Sequence, residues 1–280
     1  MYTILCLIWG STWLAIKLGL QDAPPIWSAG LRFTLAALII VFINLIRKAR
    51  YPDSLWEILR LAIPGIFMYA LSYMFLYGAE VYIDSGLTAM LFASFPFFVA
   101  AFSIGMLKDE KLGRGGWTGL VVGFIGIVIV FYDSLTKSNL LSLGVFLAVL
   151  GSAASAYGTV YIRAYQREYD IGIMAAVQMG IAALITLVCA IVFESWGDYN
   201  ITARSVGALF YLAVFGSVVA FLIYYWLLKK LKAIMVSQIA FITPVIAIIL
   251  GYLVRNETFS AFTMAGSILI MVGVGLVLRR

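Results

Sequence analysis

Long uncharged stretches, separated by short clusters of charge, proline and glycine, set the pattern of this chain. The stretches show none of the ten-residue apolar/polar alternation that an outer-membrane barrel requires, so their period points to helices. Cutting at the clusters predicts ten helical spans, near 3–20, 26–46, 56–79, 85–107, 115–132, 142–165, 171–193, 204–228, 233–254 and 260–278. Each is close to the ~17–25 residues that cross a bilayer. Two of the runs, Ser85 to Leu107 and Ala233 to Val254, carry proline at their twelfth position, Pro96 in "SFPFF" and Pro244 in "ITPVI". A proline inside a helix removes a hydrogen bond and costs about 3 kcal/mol. The matched pair is therefore expected to free a carbonyl one turn upstream and to act as two symmetric hinges near the membrane midplane.

Composition makes the membrane reading firm. Of 280 residues 64% are hydrophobic and 11% charged, against roughly 45–50% and 25% in soluble domains, and mean hydropathy is +1.06. This describes an all-α polytopic membrane protein and excludes a soluble enzyme. The chain has no histidine, which removes histidine metal sites, Ser-His triads and histidine proton relays. Cys6 and Cys189 stand alone inside apolar spans and read as small packing residues. No cofactor or metal is expected, and the spans show no nucleophile, metal set or carboxylate pair of an embedded enzyme.

Charge then orients the spans. With ten of them both termini share one side, and that side's loops, with adjoining span ends, hold 14 of the 19 Lys and Arg, including Arg47, Lys48, Arg50, Lys108, Lys111, Arg163, Lys229 and Lys230. Lys137, Arg204 and Arg255 lie opposite. Positive residues collect in the cytoplasm, so both termini are expected there, in a multi-pass protein of the inner membrane. The net charge of +6 is thereby explained without a nucleic-acid partner; the bilayer is the partner. The first span lacks a basic leader and has a counterpart later in the chain, so it reads as a retained helix rather than a signal peptide.

Two bases remain, Lys17 near the outer end of the first span and Arg32 two turns into the second. They either snorkel or pair with Asp22 in the loop between them, or meet the anionic group of a ligand. No Asp or Glu falls deep in any predicted span. Ion-coupled pumps usually carry one there, so uncoupled transport is expected.

The chain also repeats itself. Setting Pro96 on Pro244 aligns "GLTAMLFASFPFFVAAFSIGMLKDE" with "AIMVSQIAFITPVIAIILGYLVRNE", and Gly119 and Gly126 then meet Gly266 and Gly273. "RFTLAALII" from Arg32 resembles "QMGIAALIT" from Gln178, and Gly10-Ser11 resembles Gly151-Ser152. The halves, 1–138 and 139–280, hold five spans each. Because five is odd, the second copy enters the membrane from the opposite side. Inverted repeats of this kind are characteristic of secondary transporters, with substrate held at the midplane between the repeats.

"WGSTWLAIK" from Trp9, "RFTLAAL", the fourth-span proline followed by "KDEKL", a glycine-spaced fifth span, and the same scheme again resemble the paired EamA domains of the drug/metabolite transporter superfamily. The resemblance implies two inverted five-helix repeats that export small metabolites by alternating access. It points most to amino acids, aromatic or otherwise apolar, with purines, sugars and drugs as further classes, and a channel-like pore or an embedded enzyme as the more distant alternatives. The second copy departs from the first in having Gln178 where the first has Arg32.

Candidate substrate contacts follow from spacing. Tyr69, Tyr73 and Tyr77 fall at i, i+4 and i+8, on one helical face, and correspond to Ser217, Phe221 and Tyr225 in the other half. Trp9, Trp13 and Lys17 repeat the spacing on the first span, and Tyr157 and Tyr161 on the sixth. Upstream of the prolines stand Ser94, Phe95, Gln238 and Phe241, with Gln238 either linking helices or lining a wet cavity. Aromatic walls with a few hydroxyls suit an amphipathic metabolite. Gly115, Gly119 and Gly123, and Gly266, Gly273 and Gly275, offer smooth faces for close helix packing within the chain or in a homodimer.

Overall fold

A backbone surrounded by hydrocarbon must satisfy its own hydrogen bonds, and this one does so as helix. The computed structural model describes residues 1–107, 113–237 and 239–278, apart from the side chains at 241, 277 and 278, and regular structure there is entirely helical. Ten spans follow in order: α1 (Tyr2–Gly19), α2 (Pro25–Ile46), α3 (Leu55–Tyr82), α4 (Ser85–Met106), α5 (Arg114–Lys137), α6 (Asn139–Tyr165), α7 (Ile171–Phe193), α8 (Ala203–Lys230), α9 (Ala233–Arg255) and α10 (Ala261–Leu278). Exposed Leu38, Phe42, Leu45, Phe124, Val188 and Ile191 form part of the apolar surface that faces lipid.

Among the described residues three spans are interrupted, two of them beside a proline. In α3 the helix runs to Pro64 and continues as a π-helix, Gly65–Leu71, before resuming at Ser72. Pro64 has no N–H for the carbonyl of Arg60, which instead accepts from Gln166 Nε2 at 2.8 Å. A second π-helix, Val214–Val219, lies in α8. In α4 the helix stops at Phe92, turns through Ala93 and Ser94, and restarts at Phe95.

That restart corrects the reading of Pro96. It sits in the first turn of a helix, where its missing N–H costs nothing. The carbonyl of Phe92 it leaves free faces Ser152 Oγ at 3.5 Å. Pro244 lies inside the helix Ile239–Arg255. The two prolines therefore occupy different backbone settings and are not equivalent hinges. The matched interruptions are the π-helices of α3 and α8.

Main contacts run between α2 and α7, α5 and α10, α4 and α9, α1 and both α8 and α9, and α6 and both α3 and α4. Exchanging each helix with the one five places along leaves this pattern unchanged. Glycine packing is internal to the chain: a Cβ on Gly273 would lie 2.5 Å from the Gly123 nitrogen, and one on Gly126 2.5 Å from the Gly266 carbonyl oxygen.

Carboxylates from neighbouring loops close two helix N-termini. Glu194 accepts from the amides of Ile26 and Trp27 at 2.8 Å each, and Glu257 from Ser85 and Gly86, with Ser85 Oγ at 2.6 Å. A negative charge at a helix N-terminus is favourable. Burial nevertheless pushes the Glu194 carboxyl upward, against the two amides that draw it down.

Candidate functional site

The broken spans meet at the centre of the bundle around a cavity of about 50 Å³. Aromatic residues dominate its wall: Trp9 and Trp13 of α1, Tyr73 of α3, Phe92 and Phe95 of α4, and Phe221 and Tyr224 of α8, with Thr12, Ser155 and Thr243 as hydroxyls. Their spacing explains the convergence, since i, i+4 places the two tryptophans on one face of α1. Trp13 Nε1 is buried without a hydrogen-bond partner, a donor available to a polar guest. At about 50 Å³ the space holds one or two waters and falls far below the ~300–1,000 Å³ of ligand pockets.

Two polar networks flank the cavity. Toward the end that carries the N-terminus, the Tyr69 and Tyr225 hydroxyls are 2.5 Å apart, and Tyr225 donates to Gln178 Oε1. Gln178 Nε2 donates to Gln166 Oε1 at 2.8 Å, and Gln166 reaches the Arg60 carbonyl. One chain of hydrogen bonds thus joins α3, α8, α7, the segment after α6, and α3 again. Toward the opposite end Arg32 of α2 is 1% exposed. It donates to Ser217 Oγ at 2.8 Å, to the Gly216 carbonyl at 3.1 Å and to the Tyr77 hydroxyl at 3.4 Å. Gly216 belongs to the π-helix of α8, and its carbonyl also faces Trp9 Nε1 at 3.4 Å. The wide turn of a π-helix leaves backbone carbonyls for such outside donors.

Of the residues singled out in the sequence, Trp9, Trp13, Tyr73, Phe95 and Phe221 line the cavity. Tyr69, Tyr77 and Tyr225 stand directly above or below it as members of the networks. Ser94 is elsewhere: its hydroxyl donates to Ser152 Oγ at 3.1 Å and ties α4 to α6. Tyr157 packs on Phe67 and lines a separate, open cavity of about 730 Å³ with Arg60, Tyr161, Tyr165, Gln166 and Tyr169. Gln238 and the Phe241 side chain lie outside the described residues. Thr12, Phe92, Ser155 and Tyr224 line the cavity without having stood out in the sequence. Phe92 and Tyr224 were hidden among many aromatic residues, and small hydroxyls inside apolar runs carry no pattern that separates lining from packing.

Lys17 is also removed from the cavity. Its ammonium donates to the carbonyls of Glu80 and Ile83 at 2.6 and 2.7 Å, closing the C-terminus of α3. Asp22 pairs with Arg204 at 3.6 Å and accepts from Thr202 at 2.7 Å, so it partners neither Lys17 nor Arg32. α3 extends to Tyr82, past the predicted end at 79, and takes in Glu80 in its last turn, where the side chain is 1% exposed with neither carboxyl oxygen hydrogen-bonded. Beside it, in the loop between α3 and α4, burial first and Glu257 second push the Asp84 carboxyl upward, while Lys17 and Arg255 oppose them.

The chain matches the model of the EamA-like transporter family twice, over residues 1–132 and 142–279. It is 29% identical over 259 residues to the uncharacterized inner membrane transporter YedA of Escherichia coli strain K12, covering 91% of this chain and 82% of that one. To the uncharacterized transporter YoaV of Bacillus subtilis it is 28% identical, over 96% and 92%, and to the protein PagO of Salmonella typhimurium 26%, over 99% and 91%. A solved crystal structure superposes with a TM-score of 0.72 at 18% identity, covering 99% of this chain and 95% of the other, which shows a common fold.

Proposed function

Since the chain belongs to the EamA-like transporter family, and is thus a membrane transporter rather than an enzyme, we propose that it exports small amphipathic metabolites, foremost amino acids with aromatic or other apolar side chains. Export proceeds across the inner membrane by alternating access between inverted halves 1–138 and 139–280, with both termini in the cytoplasm. The observation that carries this reading is the aromatic cavity between two hydrogen-bonded closures, one through Arg32 and one through Gln178. A carrier needs a closure on each side of its site, whereas an open pore needs neither. The double family match and the unchanged packing on exchange of α1–α5 with α6–α10 support the two halves. The excess of Lys and Arg in alternate loops supports the orientation, and the printed name of the relative YedA supports the inner membrane.

The test is counterflow in proteoliposomes with radiolabelled phenylalanine, threonine, a purine and a sugar. Saturable exchange of phenylalanine, in preference to the purine and sugar, is expected. Preference for another class would overturn the substrate, and non-saturating flux the carrier mechanism.

A further inference from the structure

Arg32 is a fully buried cation whose partners are all neutral. Three of its contacts go to a hydroxyl of serine, a hydroxyl of tyrosine and a backbone carbonyl. Its guanidinium carbon also lies 4.6 Å from the Tyr73 ring centroid and 5.5 Å from that of Phe33. No Asp or Glu pairs with it among the described residues. A buried charge without a counter-charge is costly, and in membrane spans such charges mark ligand paths.

The other half of the chain shows what part of this arrangement does not need the charge. Gln178, aligned with Arg32 in the repeat, tethers Tyr225 just as Arg32 tethers Tyr77, the residue aligned with Tyr225. A neutral amide is sufficient to hold a tyrosine and bridge helices. The charge at position 32 is met only by neutral oxygens and by the faces of Tyr73 and Phe33, with no carboxylate beside it among the described residues. Tyr73 lines the cavity, and Arg32 lies against its ring, so the guanidinium is one ring away from the central space.

We propose that Arg32 is the subsite for the anionic group of the transported metabolite, a carboxylate held by the planar guanidinium fork, with the aromatic wall taking the apolar part. The proposal rests on the transporter reading above and narrows it to substrates bearing a carboxylate.

The full chain in proteoliposomes, and in detergent with intrinsic tryptophan fluorescence as the binding readout, is tested with phenylalanine, 3-phenylpropionate, 2-phenylethylamine and a non-aromatic carboxylate, malate. The wild type is expected to bind the aromatic carboxylates in preference to the amine. Arg32→Gln is expected to weaken them about 30-fold or more, the scale for removing one partner of a buried charge pair, while the amine, relieved of a neighbouring like charge, binds no more weakly than to the wild type. Ser217→Ala frees a guanidinium donor and is expected to tighten carboxylate binding; this variant serves if Arg32→Gln does not fold. Wild-type carboxylate affinity in Arg32→Gln, looser or unchanged carboxylate binding in Ser217→Ala, or a wild type that binds no carboxylate in the panel overturns the subsite. Exchange of phenylalanine by both wild type and Arg32→Gln with the same half-saturating concentration overturns the subsite but leaves the amino-acid reading intact. Arg32-dependent binding of malate without phenylalanine does the reverse.

Discussion

Two glutamates show how much a residue's environment decides its energetic role. Glu257 accepts two backbone amides and a hydroxyl at the start of α4, whereas Glu80, also buried, makes no side-chain hydrogen bond. Removing an acceptor from buried donors costs about 1–3 kcal/mol, whereas Glu80 has no hydrogen bond to lose and only the attraction of the Lys17 and Arg255 charges to set against its burial. Glu257→Gln is expected to lower the thermal midpoint in detergent, and Glu80→Gln to leave it unchanged or raise it. A larger loss for Glu80→Gln would show that the carboxylate has a partner the structure does not display. Both residues fall just past the ends of the predicted spans 56–79 and 233–254. Burial became visible only once α3 was seen to continue to Tyr82.

At the scale of the element, glycine and proline have opposite lessons. Repeated glycines announced close packing, and α5 and α10 are in backbone contact through Gly123 and Gly273. Gly273→Ala places a Cβ against backbone that cannot move aside, so a loss of about 1–3 kcal/mol is expected in unfolding of the purified chain. Proline announced a fault but not its kind. Pro96 begins a half-helix, so Pro96→Ala is expected to shift stability by less than about 1 kcal/mol and to leave transport near wild type. A severe transport defect would restore the hinge. The π-helices of α3 and α8 had no signature in the sequence apart from Pro64, because a wide turn is stabilised by what it packs against: Gln178 beside Gly65, and Thr12 and Arg32 beside Gly216.

For the molecule as a whole, the proposed alternating access makes the two hydrogen-bonded networks the elements that would set the balance between states. Tyr225→Phe severs the chain from Tyr69 to Gln178 and leaves the buried amide oxygen short of its donor. A cost of about 1–3 kcal/mol to the closed form shifts its population roughly 5- to 150-fold. A cysteine placed at Ala240, in a background lacking Cys6 and Cys189, is expected to react faster with a thiol reagent applied from the side of the N-terminus. An unchanged labelling rate would separate this network from the closure.

The sequence by itself determined what depends on the solvent and on counting. Hydrocarbon admits only helices and closed barrels, and the alternation of a barrel is missing, so the helical spans and their order were legible to within a few residues. It also named the aromatic faces of α1, α3 and α8, because helical periodicity fixes which residues share a side. Only the tertiary structure decided which faces meet: that Lys17 closes the end of α3, that Ser94 ties α4 to α6, and that Arg32 is buried among neutral partners beside the cavity. Periodicity gives each helix an angle about its own axis. The partner at that angle is set by crossing and depth, and by where the helices break to release a carbonyl, which arise only when all ten pack together.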